Sequence, residues 1–209
     1  NSDTETQMIN IRTNFIGFLE QRGVDMIIGG HSHAYERSYL MKNFTGLWTT
    51  FNTAAPPTGH RVSSSTAKYD GTVGGAPYKY NSTPLNHGTV YVVAGNAGAN
   101  NSSISGFGAN AFPWAVATPG IFYFEVEDNR LDAKMLRSTG VIFDQFTIMK
   151  DVNKTTVQNI MLGQSATLNA SWPSAAGNYV WTNTTGTNRS NVVTPVTTGT
   201  FNYTVADNN

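Results

Sequence analysis

Two short apolar runs, each closed by glycine, do most to restrict what this chain can fold into. Val24-Asp25-Met26-Ile27-Ile28 runs straight into Gly29-Gly30, and Thr89-Val90-Tyr91-Val92-Val93-Ala94 into Gly95-Asn96-Ala97-Gly98. Runs of this length, bounded by turn residues and rich in branched side chains, read as strands. Their near-continuous apolar character, without alternation, is the form expected of strands buried on both faces of an α/β sheet. Ahead of the first run, Met8, Ile11, Phe15, Phe18 and Leu19 recur at helical spacing until Gly23. Ser2 followed by Glu5 reads as a capping box, so an amphipathic helix leads into the first strand.

Further along, residues 43–86 are polar, rich in Gly, Pro, Ser and Thr and nearly aperiodic. They read as a long loop insertion with a short hairpin. Phe122 to Val126 and Leu131 to Met135 flank Glu127-Asp128-Asn129-Arg130 as a β-hairpin, and Ile142 to Ile148 adds a strand after the turn at Gly140. The sheet pattern ends near Lys150. From Asn153 the chain changes to short β segments about ten residues apart with Gly, Asn and Thr turns, the pattern of a sandwich. A boundary between Asp151 and Thr155 therefore divides it into residues 1–152 and 153–209.

The residues that carry chemistry follow the first strand: Gly29-Gly30-His31-Ser32-His33-Ala34-Tyr35-Glu36-Arg37. In an extended chain, side chains at i and i+2 point the same way, so His31 and His33 can face one cleft while Gly29 and Gly30 let the backbone turn beneath them. Neutral imidazole is a common ligand for zinc-, iron- and manganese-class ions. The position suits a site, because α/β sheets bind ligands outside the carboxyl ends of their strands. Asn96, in the turn after the second strand, is placed to donate its amide to a phosphate oxygen, although asparagine is also a turn former. Glu36 and Arg37 read as an ion pair bracing the loop, and His60 and His87 as surface or loop histidines.

This nine-residue block resembles the glycine-histidine-any-histidine motif of the calcineurin-like metallophosphoesterases, and with Ala-Tyr-Glu-Arg attached it is similar to that of the purple acid phosphatases. The order helix, strand, histidine block, long loop, strand, glycine turn and hairpin resembles the closing half of that fold over residues 1–150. The resemblance implies an α/β (α+β) metallophosphoesterase sandwich, of which this chain holds the carboxyl-terminal half. It further implies a dinuclear centre of two metal ions, iron with zinc, manganese or a second iron, acting on a phosphate-ester substrate. His31 would be the ligand of the divalent ion, and His33 that of the second, often ferric, ion. Both count as catalytic in that family, where two ions polarise the phosphoryl group and activate a water. The other ligands, two aspartates, a tyrosine, an asparagine and a histidine, would come from a preceding segment of the same protein. Metallo-β-lactamase-type hydrolases also use histidine pairs but follow them with an aspartate-histidine pair, where this chain has Tyr35 and Glu36. The competing reading is a surface or adhesion protein with an inactive phosphatase-like scaffold.

Residues 153–209 resemble an immunoglobulin-like module, a small all-β sandwich cut short. Leu168 and Val205 would stand where antibody domains carry cysteines, Trp181 would pack between them, and Tyr203 would form the tyrosine corner.

Composition narrows the partners. The 13 basic and 13 acidic residues leave a net charge of +0, so no electrostatic footprint points to nucleic acid or an anionic surface. The chain has no cysteine, which excludes disulfides and thiolate metal sites. No apolar run of about 18 residues could span a membrane. Low charge with abundant Thr, Asn, Gly and Ser points to an exported protein, secreted or at the cell surface or periplasmic.

Overall fold

The computed structural model describes residues 4–98, 110–174 and 177–207. Two short helices, α1 (Thr6–Asn14) and α2 (Ile16–Gln21), lead into β1 (Met26–Gly29), and β2 (Tyr35–Arg37) follows directly after the histidine block. β4 (Val90–Ala94) pairs parallel with β1 and antiparallel with β2, and β5 (Trp114–Val116) pairs with the other edge of β2. The sheet order is therefore β1-β4-β2-β5. A second sheet, β3-β8-β7-β6, is built from β3 (Tyr78–Tyr80), β6 (Gly120–Glu127), β7 (Arg130–Arg137) and β8 (Ile142–Lys150). The hairpin read around Glu127–Arg130 is the β6–β7 connection, with Asp128 in the left-handed region at φ 51°.

The two sheets pack face to face. Tyr35, Val90, Val92 and Val116 of the first meet Ala133, Met135, Phe146 and Ile148 of the second in one buried cluster. Each such side chain contributes about 1.5–3 kcal/mol by leaving water, which makes this interface the main stabilising element of residues 24–150. The fold is mostly sheet with few helices, so the α/β expectation holds only for the helix–strand entry and the parallel β1–β4 pair. Among the described residues no helix is long and apolar enough to cross a membrane.

Several expectations need correction. The single amphipathic helix is two, parted at Phe15. Ile11, Phe15 and Phe18 are more than half exposed, whereas Ile16 and Glu20 are buried. The reason is polar docking: the Glu20 carboxylate accepts the Tyr91 hydroxyl at 2.5 Å and the Asn43 backbone N–H at 2.7 Å, which fixes a different face inward. Glu5 occupies the N-cap position without a side-chain cap bond, and Ser2 lies outside the described residues. β1 is an edge strand, with Ile28 45% exposed, so it is not covered on both faces. Residues 43–86 form no free-standing hairpin. They are tied down by a bridge from Met41 to Arg61 and contribute β3, which pairs parallel with β8.

Beyond Val152, β9 (Ala166–Asn169) pairs with β11 (Ser190–Val193), and β10 (Tyr179–Trp181) pairs with β12 (Val205–Asp207). Ala170, Tyr179 and Trp181 form their core, with Leu168, Trp172 and Val205 packed on it.

Candidate metal centre

His31 and His33 lie in a loop at the carboxyl end of β1, next to the carboxyl end of its parallel partner β4. Both are exposed. The geometry that brings them there differs from the extended pair expected. Residues 31–34 form successive bends, and neither Gly29 nor Gly30 takes a positive φ; the left-handed residue is His31 itself, at φ 70°. Non-glycine residues in that region carry a backbone cost and concentrate at functional sites. The glycine that the loop requires is Gly95 in the β4 turn, where a Cβ would sit 1.8 Å from the Ser32 carbonyl oxygen. Gly95 N–H donates to the Ala34 carbonyl at 3.1 Å, so the histidine loop rests directly on the second glycine turn.

Below the loop the chain is anchored. Arg37 is fully buried and forks onto Asp144 of β8, Nε to Oδ2 at 2.5 Å and Nη2 to Oδ1 at 2.8 Å, while the Tyr35 hydroxyl donates to Asp144 Oδ2 at 2.7 Å. The guanidinium carbon lies 3.5 Å from the centre of the Trp114 ring. A register shift in β8 between its pairings with Met135 and Leu136 turns consecutive residues inward, so that Phe143 packs on Tyr35 and Asp144 reaches the same residue from beside it. Bulges often re-aim side chains in this way. The expected Glu36–Arg37 brace is thus replaced by an Arg37–Asp144 pair between the two sheets, because adjacent residues of β2 project to opposite faces. Glu36, on the other face, is bonded to Ser32 between the two histidines, and burial pushes its carboxyl up to about 7, the Ser32 hydrogen bond opposing that rise.

His31 Nε2 meets Glu5 Oε2 at 2.9 Å. The donors present have the right chemistry for an N/O-ligated ion but are too few to complete one. Among the described residues no group of three or more His, Cys, Asp or Glu side chains is gathered to hold a metal.

The other expected residues are placed elsewhere. Asn96 is 1% exposed, and its amide donates to the Thr118 carbonyl at 2.7 Å. The group expected to reach a phosphate oxygen is therefore turned into the protein, where it ties the β4 turn to the approach to β6. His60 stacks on Phe51 and accepts the Asn52 N–H at Nδ1. His87 is not a surface residue: its side chain is 6% exposed and stacked on Tyr80, and burial lowers its pKa. The residue that sequence reasoning missed is Asp144. Its signal was a lone charge inside the apolar run Ile142–Ile148, since a buried carboxylate needs a partner, but nothing in the sequence named Arg37 as that partner.

Comparison with solved structures gives a likeness to a known enzyme. The chain is similar to a purple acid phosphatase isolated from seeds of yellow lupin (Lupinus luteus), with 21% identity and a TM-score of 0.48, over 66% of this chain and 20% of that one. The chain thus spans about a fifth of that protein's length. No family model matches the sequence, and no curated protein does.

Proposed function

We propose that residues 1–152 are the carboxyl-terminal half of a metal-dependent phosphoesterase and that His31 and His33 each contribute a ligand to one ion of a dinuclear centre. The observation that carries this reading is the presentation of two exposed imidazoles on a left-handed bend at the carboxyl ends of a parallel strand pair, over a rigid buried footing. The resemblance of the nine-residue block to the purple acid phosphatase motif supports it.

In this proposal the remaining ligands come from chain outside this sequence, because two imidazoles cannot hold two ions in a catalytic arrangement. When bound, such ions polarise a phosphoryl group and lower the pKa of a bound water. The work of this chain is to position. Gly95 and the Arg37–Asp144 pair fix the loop backbone, and Ser32, held by Glu36, fixes the residue between the ligands. Of the metals, iron with zinc, manganese or iron is the set the resemblance implies. Asn96 is left out of the substrate contacts because its amide is engaged inside the fold. Export, to the cell surface, periplasm or medium, is supported by the low charge and the abundance of Thr, Asn, Gly and Ser.

The test is the turnover of an aryl phosphate by, and the metal content of, the longest soluble form of the protein. His31→Ala and His33→Ala each lower turnover by at least a hundredfold with metal content reduced, whereas His60→Ala leaves it within a fewfold. Full turnover and metal content in both histidine variants removes the assignment, and a metal-free, inactive parent protein favours the scaffold reading.

Residues 153–209 we read as an immunoglobulin-like module, supported by the pairing of its first strand with its third and its second with its fourth, around Trp181. The Val152 carbonyl accepts the Ser171 hydroxyl, whereas residues 153–165 are exposed throughout. Brief proteolysis therefore cuts within 153–165 and leaves a stable fragment of residues 1–152. Cleavage confined to 43–86 would show one fused unit.

A further inference from the structure

The outer face of the second sheet, away from the histidine loop, carries a polar cavity of about 270 Å³ that the proposed phosphoesterase chemistry does not use. Lys68 and Lys134 line it, one from the segment that runs beside β8 and one from the middle of β7. Both lysines are half-buried, and neither ammonium has an acceptor among the described residues. Neither ammonium is among the buried, unpartnered polar atoms of the described residues, so the stems of both lysines are covered while their charged heads stay hydrated at the cavity wall, open to an anion.

The backbone holds Lys68 in place at some cost. The residues on either side of it, Ala67 at φ 56° and Tyr69 at φ 47°, are both left-handed, and Ala67 is fully buried. Neither is a residue that favours that region. The segment is pinned on β8 by Thr147 N–H to the Ala67 carbonyl at 2.8 Å and by Gln145 Nε2 to the Lys68 carbonyl at 3.1 Å. Paired outliers flanking one side chain occur where the surroundings over-determine a geometry, as they do at ligand clamps.

The acids nearby are mostly occupied. Asp132 is bound in a fork by Arg130, at 2.6 and 3.1 Å, and also accepts the Thr147 hydroxyl at 2.6 Å. Asp70 is engaged by Thr72, whose N–H and hydroxyl both donate to Oδ1. Glu125, directly across from Asp132 on β6, is exposed at the rim. Two ammonium groups thus face the cavity against one rim carboxylate, and the polar walls suit a hydrophilic ligand with a negative end.

We propose that this cavity binds a small oxyanion, phosphate or carboxylate, between the ammonium groups of Lys68 and Lys134. The site lies on the sheet opposite the histidines and is independent of any metal. The test uses the full 209-residue chain in the presence of EDTA, titrated separately with inorganic phosphate and with citrate at constant ionic strength, and read by calorimetry and by amide chemical shifts. Saturable binding of one or both anions at a single site is expected, with shifts at residues 66–70 and 132–135. Lys68→Met and Lys134→Met each weaken it at least tenfold, whereas Lys79→Met on β3 leaves it unchanged, all three unfolding at the wild-type temperature. A His31→Ala/His33→Ala double variant binds as the wild type does, which separates this site from the proposed metal centre. Whichever anion saturates identifies the phosphate or the carboxylate source. Absence of saturable binding by either anion overturns the proposal, as does wild-type affinity in folded Lys68→Met and Lys134→Met.

Discussion

Five residues part an exposed imidazole of the candidate site, His31, from the buried guanidinium of Arg37. The His31 side chain is 69% exposed, whereas that of Arg37 is 0% exposed and lies against an equally buried Asp144. The His31 imidazole meets Glu5 at 2.9 Å and otherwise faces solvent, whereas the Arg37 guanidinium is held by a two-point fork on Asp144. The two depend on one another. A bend strained at His31 holds its shape only if its exit is clamped, and the clamp comes from the other sheet, 107 residues away in sequence. Stability and candidate chemistry are therefore carried by adjacent but separate residues.

The sharpest way to break this contrast is Asp144→Ala. It leaves a guanidinium buried without its partner, and truncating one member of a buried pair costs about 3–5 kcal/mol. Urea unfolding should show a loss of that size. Replacing both members with apolar side chains, Arg37→Met with Asp144→Leu, should cost far less, because the desolvation penalty disappears together with the pair. A loss below about 1 kcal/mol for Asp144→Ala would mean that the clamp is not what supports the loop.

Glu36 lies between the two regimes, since it is buried yet bonded to the loop. Its carboxyl titrates near 7 in the fold, against 4.5 ordinarily, so the folded state holds the proton more tightly than the unfolded chain. Stability is then unaffected below about pH 4.5, declines as pH rises through the interval to 7, and is flat above it. By linkage the decline amounts to at most roughly 3 kcal/mol. Glu36→Gln removes this slope while keeping a group that can bond Ser32. Parallel stability–pH curves for the two proteins between pH 4.5 and 7 would show that Glu36 is not protonated in the fold.

The smallest effects belong to the loop. His31→Ala and His33→Ala should each change unfolding free energy by no more than about 0.5 kcal/mol, as exposed positions do. His31→Gly should match or exceed the stability of His31→Ala, because glycine takes φ 70° without a Cβ penalty. A loss above about 2 kcal/mol in either alanine variant would place the histidines in the structural framework instead.

How much of this was legible beforehand differs by element. The strands at Val90–Ala94, Gly120–Glu127, Arg130–Arg137 and Ile142–Lys150 were readable, because their apolar runs and turn residues act locally. The split helix was not, because a buried carboxylate, Glu20, docks that segment through Tyr91, and polar docking leaves no periodic trace. Conformational freedom points to Gly29 and Gly30 as the place of the turn, yet the left-handed residue is His31, where the loop closes against Gly95. Asn96 looked available to a ligand because its burial depends on Thr118, which only the folded turn brings near.

By itself the sequence determined the local matters: where strands begin and end, which residue types could ligate an ion, that no thiolate takes part, and that the chain's pattern changes near residue 152. Local composition acts over a few residues, and those properties need no more. Only the tertiary structure decided which charges pair, which histidine is exposed and which is stacked inside, and that the candidate ligands stand on a clamp linking two sheets. Those outcomes depend on desolvation and on contacts between residues far apart in the chain, and a buried charge finds its partner only when the sheets close over both.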